Sequence, residues 1–173
     1  MNSKNKKQEI IEALRYAYGM EIETTENYLA AAINLDGLRA HSLREILSKE
    51  VEDELSHARA LAQRIKSLGG TVPGSIEMKR TQEFLQPPAN STDLVSIIKG
   101  VILAEDAAIL HYRHLIEITD GIDYPTQDLA IQNLTDEESH RREFIGFLKA
   151  LQHEVPASEI PDIELILNKT LAA

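Results

Sequence analysis

Two five-residue stretches decide how this chain folds: Asp53-Glu54-Leu55-Ser56-His57 and Asp136-Glu137-Glu138-Ser139-His140. Each holds a Glu followed three residues later by a His, a spacing that on an α-helix puts both side chains on one face, one turn apart. Walking outward from Glu54 at helical spacing returns Leu43, Leu47, Glu50, Glu54, His57, Leu61 and Leu68, an apolar stripe interrupted by acid and imidazole. The same walk from Glu137 returns Ala130, Asn133, Glu137, His140, Phe144, Phe147 and Leu151. Such stripes face a core, so these Glu and His residues stand where packing alone selects Leu.

Two more stripes share the pattern. One is Leu14, Tyr18, Glu21, Thr25, Tyr28, Ala32 and Leu35; the other is Ile98, Val101, Glu105, Ala108, Tyr112 and Leu115. The punctuation between them is sparse, with 8 Gly and 6 Pro in 173 residues. It divides the chain into long helical segments: about 8–35, ending at Asp36-Gly37; about 38–68, stopped by Gly69-Gly70; Ser91-Thr92-Asp93 to Asp120-Gly121; and Asp123-Tyr124-Pro125 to about His153. A last short helix is expected over 158–171, capped by Ser158, and residues 1–7 read as a flexible end. Short turns join the segments in pairs, while residues 69–90 form a crossover that spans up to ~70 Å when extended. The expected fold is therefore all-α: one domain over 1–173, built as a four-helix bundle over 8–153 with one long crossover between helices two and three and a short fifth helix.

Every one of the four stripes carries a carboxylate at mid-height. Burying an ionised carboxylate without a partner costs several kcal/mol, and four together repel one another. No Lys or Arg falls near the middle of these stripes, but two divalent cations balance Glu21, Glu54, Glu105 and Glu137. The halves also repeat: Glu21 and Glu54 lie 33 positions apart and Glu105 and Glu137 lie 32 apart, while each first Glu is followed seven residues later by a Tyr, Tyr28 or Tyr112. A pseudo-twofold metal site follows. Asp53 and Asp136 each precede a His by four residues, which puts each on its histidine's side of the helix as a supporting acceptor within the site, and the two Tyr hydroxyls are given a similar role. The donor set of Glu and His suits Fe, Mn or Zn and does not choose among them.

With those six positions in place, the chain resembles the ferritin-like di-iron carboxylate superfamily, bacterioferritin and bacterial ferritin-type proteins above all, over roughly residues 14–151. The resemblance implies ferritin-like topology and metal ligation by Glu21, Glu54, His57, Glu105, Glu137 and His140, which are also the catalytic set. It implies that Glu54 and Glu105 bridge two irons, with Glu21 and Glu137 terminal. The implied activity is ferroxidation: two Fe ions per subunit, Mn or Zn as alternatives, oxidised by O2 or H2O2 for storage or detoxification. Bacterioferritins carry a haem-ligating Met directly after the helix-two Glu; Leu55 stands there, so no haem is expected. Rubrerythrins add a second helix-three Glu, here Ala108, and usually a Cys-rich domain, whereas this chain has no Cys. Starvation-type miniferritins hold iron between subunits and lack the paired Glu-x-x-His, so they rank third.

Two other readings stand beside this one: a non-storage di-iron or Fe/Mn oxidase or peroxidase acting on peroxide or a small organic substrate, and a non-catalytic helical-bundle interaction protein. A homo-oligomer is expected, at least a dimer and as an alternative the family's 24-mer cage. With 28 Asp plus Glu against 18 Lys plus Arg, net −10, the chain is expected to avoid nucleic acid and anionic membrane. The polar start MNSKNKKQE has no apolar run behind it and no spanning segment follows, so the expected location is the cytoplasm. Lys4, Lys6 and Lys7 read as frayed polar chain. Off the stripes, Glu23, Glu26, Glu52 and Glu138 read as a solvated face; Glu50, on its stripe, reads as reached by solvent at the bundle end, with an accessory iron site as the alternative. His41, His111, His114 and His153 read as locally hydrogen-bonded histidines.

Overall fold

The computed structural model describes residues 3–152. It contains four long helices, α1 (Ser3–Asn34), α2 (Ala40–Ser67), α3 (Leu94–Thr119) and α4 (Tyr124–Gln152), and no strand among the described residues. The expected fifth helix over 158–171, and His153 at the end of the fourth segment, lie outside the described residues. α1 begins at Ser3, five residues before Gln8, where the apolar pattern places its start. Lys6 and Glu9 pair across that first stretch at 3.1 Å.

The ends of the helices follow from local chemistry. Gly69 adopts φ 79°, a left-handed conformation that costs glycine nothing, and its N–H bonds the Lys66 carbonyl while that of Gly70 bonds Ile65. Asp93 caps α3 by accepting from the Ser96 amide at 3.0 Å. Asp123 does the same for α4 through Thr126, and its carboxylate also takes Arg64 of α2 at 2.5 Å, tying the two helix ends together. Arg64 and the Thr126 amide and hydroxyl hold the Asp123 carboxyl below its ordinary range against a burial effect that raises it.

α1 packs on α2 and α3 on α4, and the two hairpins close against each other. The crossover lies along α1. Arg15 donates to the Thr71 carbonyl and pairs with Glu77, and Arg80 pairs with Glu26 at 2.7 Å. A short 3-10 turn, Glu83–Leu85, then presses onto α3 at Gly100, where an added Cβ would sit 2.7 Å from the Phe84 carbonyl oxygen. The interior divides into two apolar clusters. One contains Leu35, Leu47, Val101, Ile102, Phe144 and Leu148; the other contains Leu14, Leu61, Ile65, Leu115 and Ala130. Between them lies a buried polar layer. No helix among the described residues is long and apolar enough to cross a membrane.

Candidate metal centre

The six residues named from the stripes meet in that layer. Glu21 of α1, Glu54 and His57 of α2, Glu105 of α3 and Glu137 of α4 are buried, and the His140 side chain is nearly so. Their donor atoms form two overlapping quartets, Glu21–Glu54–His57–Glu137 and Glu54–Glu105–Glu137–His140, each with its atoms within 4.8 Å of one another. Glu54 and Glu137 belong to both. Glu137 stands between the imidazoles, one oxygen 3.1 Å from His57 Nδ1 and the other 3.5 Å from His140 Nδ1.

Several of these atoms lack a well-formed hydrogen bond in their buried positions: Glu54 Oε2, both Glu137 oxygens and Nδ1 of each His. Buried polar atoms are normally satisfied, so a cluster of orphans that converges on one space fits a cation bound among them. Oxygen and imidazole nitrogen suit Fe, Mn or Zn. Without a cation, protons balance the charge. Burial and the nearby Glu137 charge push the Glu21 carboxyl up to about 7, and burial raises Glu54 and Glu105 as well. Burial also works against Glu137, but the His140 and His57 imidazoles, 3.5 and 3.1 Å away, hold it down at about 2. Those contacts in turn raise His57 to about 9 and His140 to about 10, overcoming a desolvation effect of the opposite sign.

The surrounding contacts cross the bundle. The Tyr28 hydroxyl of α1 donates to Glu105 of α3 at 2.5 Å, and the Tyr112 hydroxyl of α3 donates to Glu21 of α1. Asn133 donates to the Tyr112 oxygen at 2.9 Å. The Asp–His contact crosses too: Asp136 of α4 faces Nε2 of His57 in α2 at 3.2 Å, while Asp53 pairs with Lys49 and groups with Glu50 and His140. An i, i+4 Asp shares a helix side with its His, but His Nε2 points away from its own helix and meets the facing one.

Three further expectations change. Glu50, expected to meet solvent, is buried and faces His140 Nε2 at 3.0 Å, because α4 closes over that end of α2. Glu23, expected on a solvated face, is buried beneath the crossover and accepts the Thr81 and Gln82 amides at 2.9 and 3.0 Å. The residues common to both quartets are Glu54 and Glu137, where the resemblance implied Glu54 and Glu105. The repeat itself carried this signal, since the pseudo-twofold axis exchanges Glu54 with Glu137 and Glu21 with Glu105. Glu26 and Glu138 are exposed and pair with Arg80 and Arg113. His111 Nε2 lies 2.8 Å from the Ala13 carbonyl, and His41 lies 3.5 Å from Glu45.

Beside the layer, Asp53, Asp136, Lys49, Gln132, Asn133 and both imidazoles border a cavity of about 430 Å³. Its lining is hydrophilic.

The family profile described as Ferritin, ferritin-like domain, matches residues 11–153. A DNA protection during starvation protein of Pyrococcus furiosus is 27% identical over 141 residues, covering 79% of this chain and 75% of that protein. Among solved structures, the bacterioferritin of Desulfovibrio desulfuricans superposes with a TM-score of 0.77 at 23% identity, over 92% of this chain and 90% of that one. The bacterioferritin-related protein of Bacteroides fragilis, a dodecameric thioferritin, gives 0.75 at 24%, over 89% and 90%.

Proposed function

Because the chain belongs to the ferritin-like domain family, we propose that it is a di-iron ferroxidase that oxidises Fe(II) with O2 or H2O2 in iron storage or detoxification. The observation that carries this reading is the pair of buried quartets sharing Glu54 and Glu137. The bacterioferritin of D. desulfuricans, a similar fold, is described as having a di-iron site with different catalytic states.

Iron is the substrate here. Two Fe(II) held side by side give up two electrons together, which with two protons convert O2 to H2O2 or, with cleavage of the O–O bond, H2O2 to two waters. Glu54 and Glu137 hold the pair adjacent; Glu21 with His57 and Glu105 with His140 complete the two halves. Proximity removes the entropic cost of assembling both electron donors around one oxidant. The carboxylates stabilise the ferric product more than the ferrous substrate, because their attraction grows with the charge of the ion. Tyr28 and Tyr112 restrain the outer carboxylates of the two halves by the hydrogen bonds they donate. The hydrophilic cavity at His57 and His140, with Asp53 and Asp136 on its wall, suits entry of a cation or peroxide better than an apolar substrate. Like its dodecameric relative from B. fragilis, the chain is proposed to self-assemble.

Anaerobic addition of Fe(II), then air, followed by near-ultraviolet ferric absorbance, tests the reading. Fast oxidation that saturates at about two irons per subunit is expected, and its loss in Glu54→Ala combined with His140→Ala. Continued uptake beyond two indicates storage. Oxidation no faster than in buffer, and indifferent to the substitutions, overturns the ferroxidase.

A further inference from the structure

The repeat that relates the two Glu-x-x-His helices breaks at one position. Glu50 lies four residues before Glu54, and the residue four before Glu137 is Asn133. Asn133 is turned to Tyr112, while Glu50 reaches across to His140. Both imidazoles direct Nδ1 into the centre, that of His57 toward Glu137 and Glu54 and that of His140 toward Glu137, and Nε2 outward. The outer neighbours of His140 are Asp53 and the Glu50 carboxylate, 2% exposed, whose Oε2 lies 3.0 Å from Nε2 without a well-formed hydrogen bond; the outer contact of His57 is Asp136, hydrogen-bonded at 3.2 Å and 57% exposed.

A carboxylate that faces the outer N–H of a ligating imidazole favours the tautomer with its proton there and makes the inner nitrogen a stronger donor. Solvent screens an exposed carboxylate, and its side chain is freer to leave; a buried one acts through a low-dielectric interior at a fixed position. Lys49 lies 3.8 Å from Glu50, but its side chain is 72% exposed, so its opposing charge is screened in turn. The two halves of the centre therefore have like ligands and unlike support.

Resting on the di-metal reading above, we propose that Glu50 is a positioning residue that makes the Glu105–His140 half the tighter one, so that divalent cations load that half first and the Glu21–His57 half second.

Zn(II) is the probe, added to the metal-free assembled protein and followed by calorimetry. Wild type is expected to show two resolved binding events per subunit. Glu50→Gln weakens the first by about tenfold or more, drawing it toward the second, whereas Asp136→Asn weakens only the second and widens the gap. In crystals grown with one equivalent of Zn(II) per subunit, anomalous scattering is expected between Glu105 and His140. This measurement needs wild type alone, so it stands even where Glu50→Gln fails to fold. Zinc found first between Glu21 and His57, or two events left in place by Glu50→Gln, overturns the role of Glu50 while leaving the di-metal centre intact. No stoichiometric zinc in wild type overturns both.

Discussion

Glu21, His57 and His140 hold protons in the metal-free fold that they release in the unfolded chain, and this sets how stability depends on pH. Glu21 stays protonated to about 7 when folded, against an ordinary 4.5, so its contribution is complete below 4.5 and is lost as pH rises through 7. His57 at about 9 and His140 at about 10, against 6.5, contribute fully below 6.5 and lose that contribution as pH climbs through 9 and 10. Glu137 runs the other way: held at about 2, it contributes above 4.5 and loses its contribution as pH falls through 2. Together these groups make the metal-free chain most stable near pH 5 and progressively less so towards pH 9. A divalent cation displaces the same protons, so the stabilisation it confers grows with pH. Thermal melts in chelator from pH 5 to 8, repeated with Zn(II), check both trends. The apo melting temperature should fall across that range, and the zinc-induced rise should grow. Glu21→Gln, which mimics the protonated acid, should flatten the apo decline between pH 5 and 7. An apo melting temperature that climbs with pH contradicts the assignment.

At the level of elements, one buried carboxylate anchors the middle of the crossover. Glu23 is 4% exposed and accepts both the Thr81 and Gln82 amides, while Gln82 also donates to Thr24 and accepts from Asn27. Replacing Glu23 with Ala leaves two amides without their acceptor and is expected to cost about 1.5–3 kcal/mol. Urea unfolding of the metal-free protein measures the cost. Limited proteolysis within residues 69–90 should quicken in parallel, and unchanged cleavage would mean that the crossover is held by other contacts. This anchor is not legible in the sequence, because Glu23 lies off the stripe that faces the other helices. Only the return of the crossover over α1 buries it, and nothing in a helical projection contains that return. The helices themselves are legible, since helical spacing persists up to Gly69-Gly70 and again from Asp93 to Gly121. So is the centre, whose six residues interrupt stripes that packing alone would fill with Leu. What helical spacing leaves open is which partner each residue meets: His57 with Asp136 and His140 with Glu50 are pairings between helices, and they depend on how α2 and α4 cross.

For the whole molecule, the outer face of α1 argues for assembly. Ile22, Leu29 and Ile33 recur at steps of seven and four, off the stripe that holds Glu21. Leu29 and Ile33 are 52% and 71% exposed in the single chain, and two large aliphatic side chains adjacent on a helix make a natural part of an interface core. The net charge of −10 works against association at low ionic strength, where the Debye length is long, and is screened at physiological salt. A subunit of 19.4 kDa is therefore expected to elute from a sizing column in 0.15 M salt as an assembly of about 39 kDa or more. Leu29→Lys combined with Ile33→Lys places two charges where apolar area would be buried, so the eluted species should become smaller. Because these positions lie on the face of α1 turned away from the metal layer, Zn(II) binding per subunit should persist in the variant. Loss of zinc together with the assembly would instead mean that subunit contacts hold α1, and with it Glu21, in register with the other three helices.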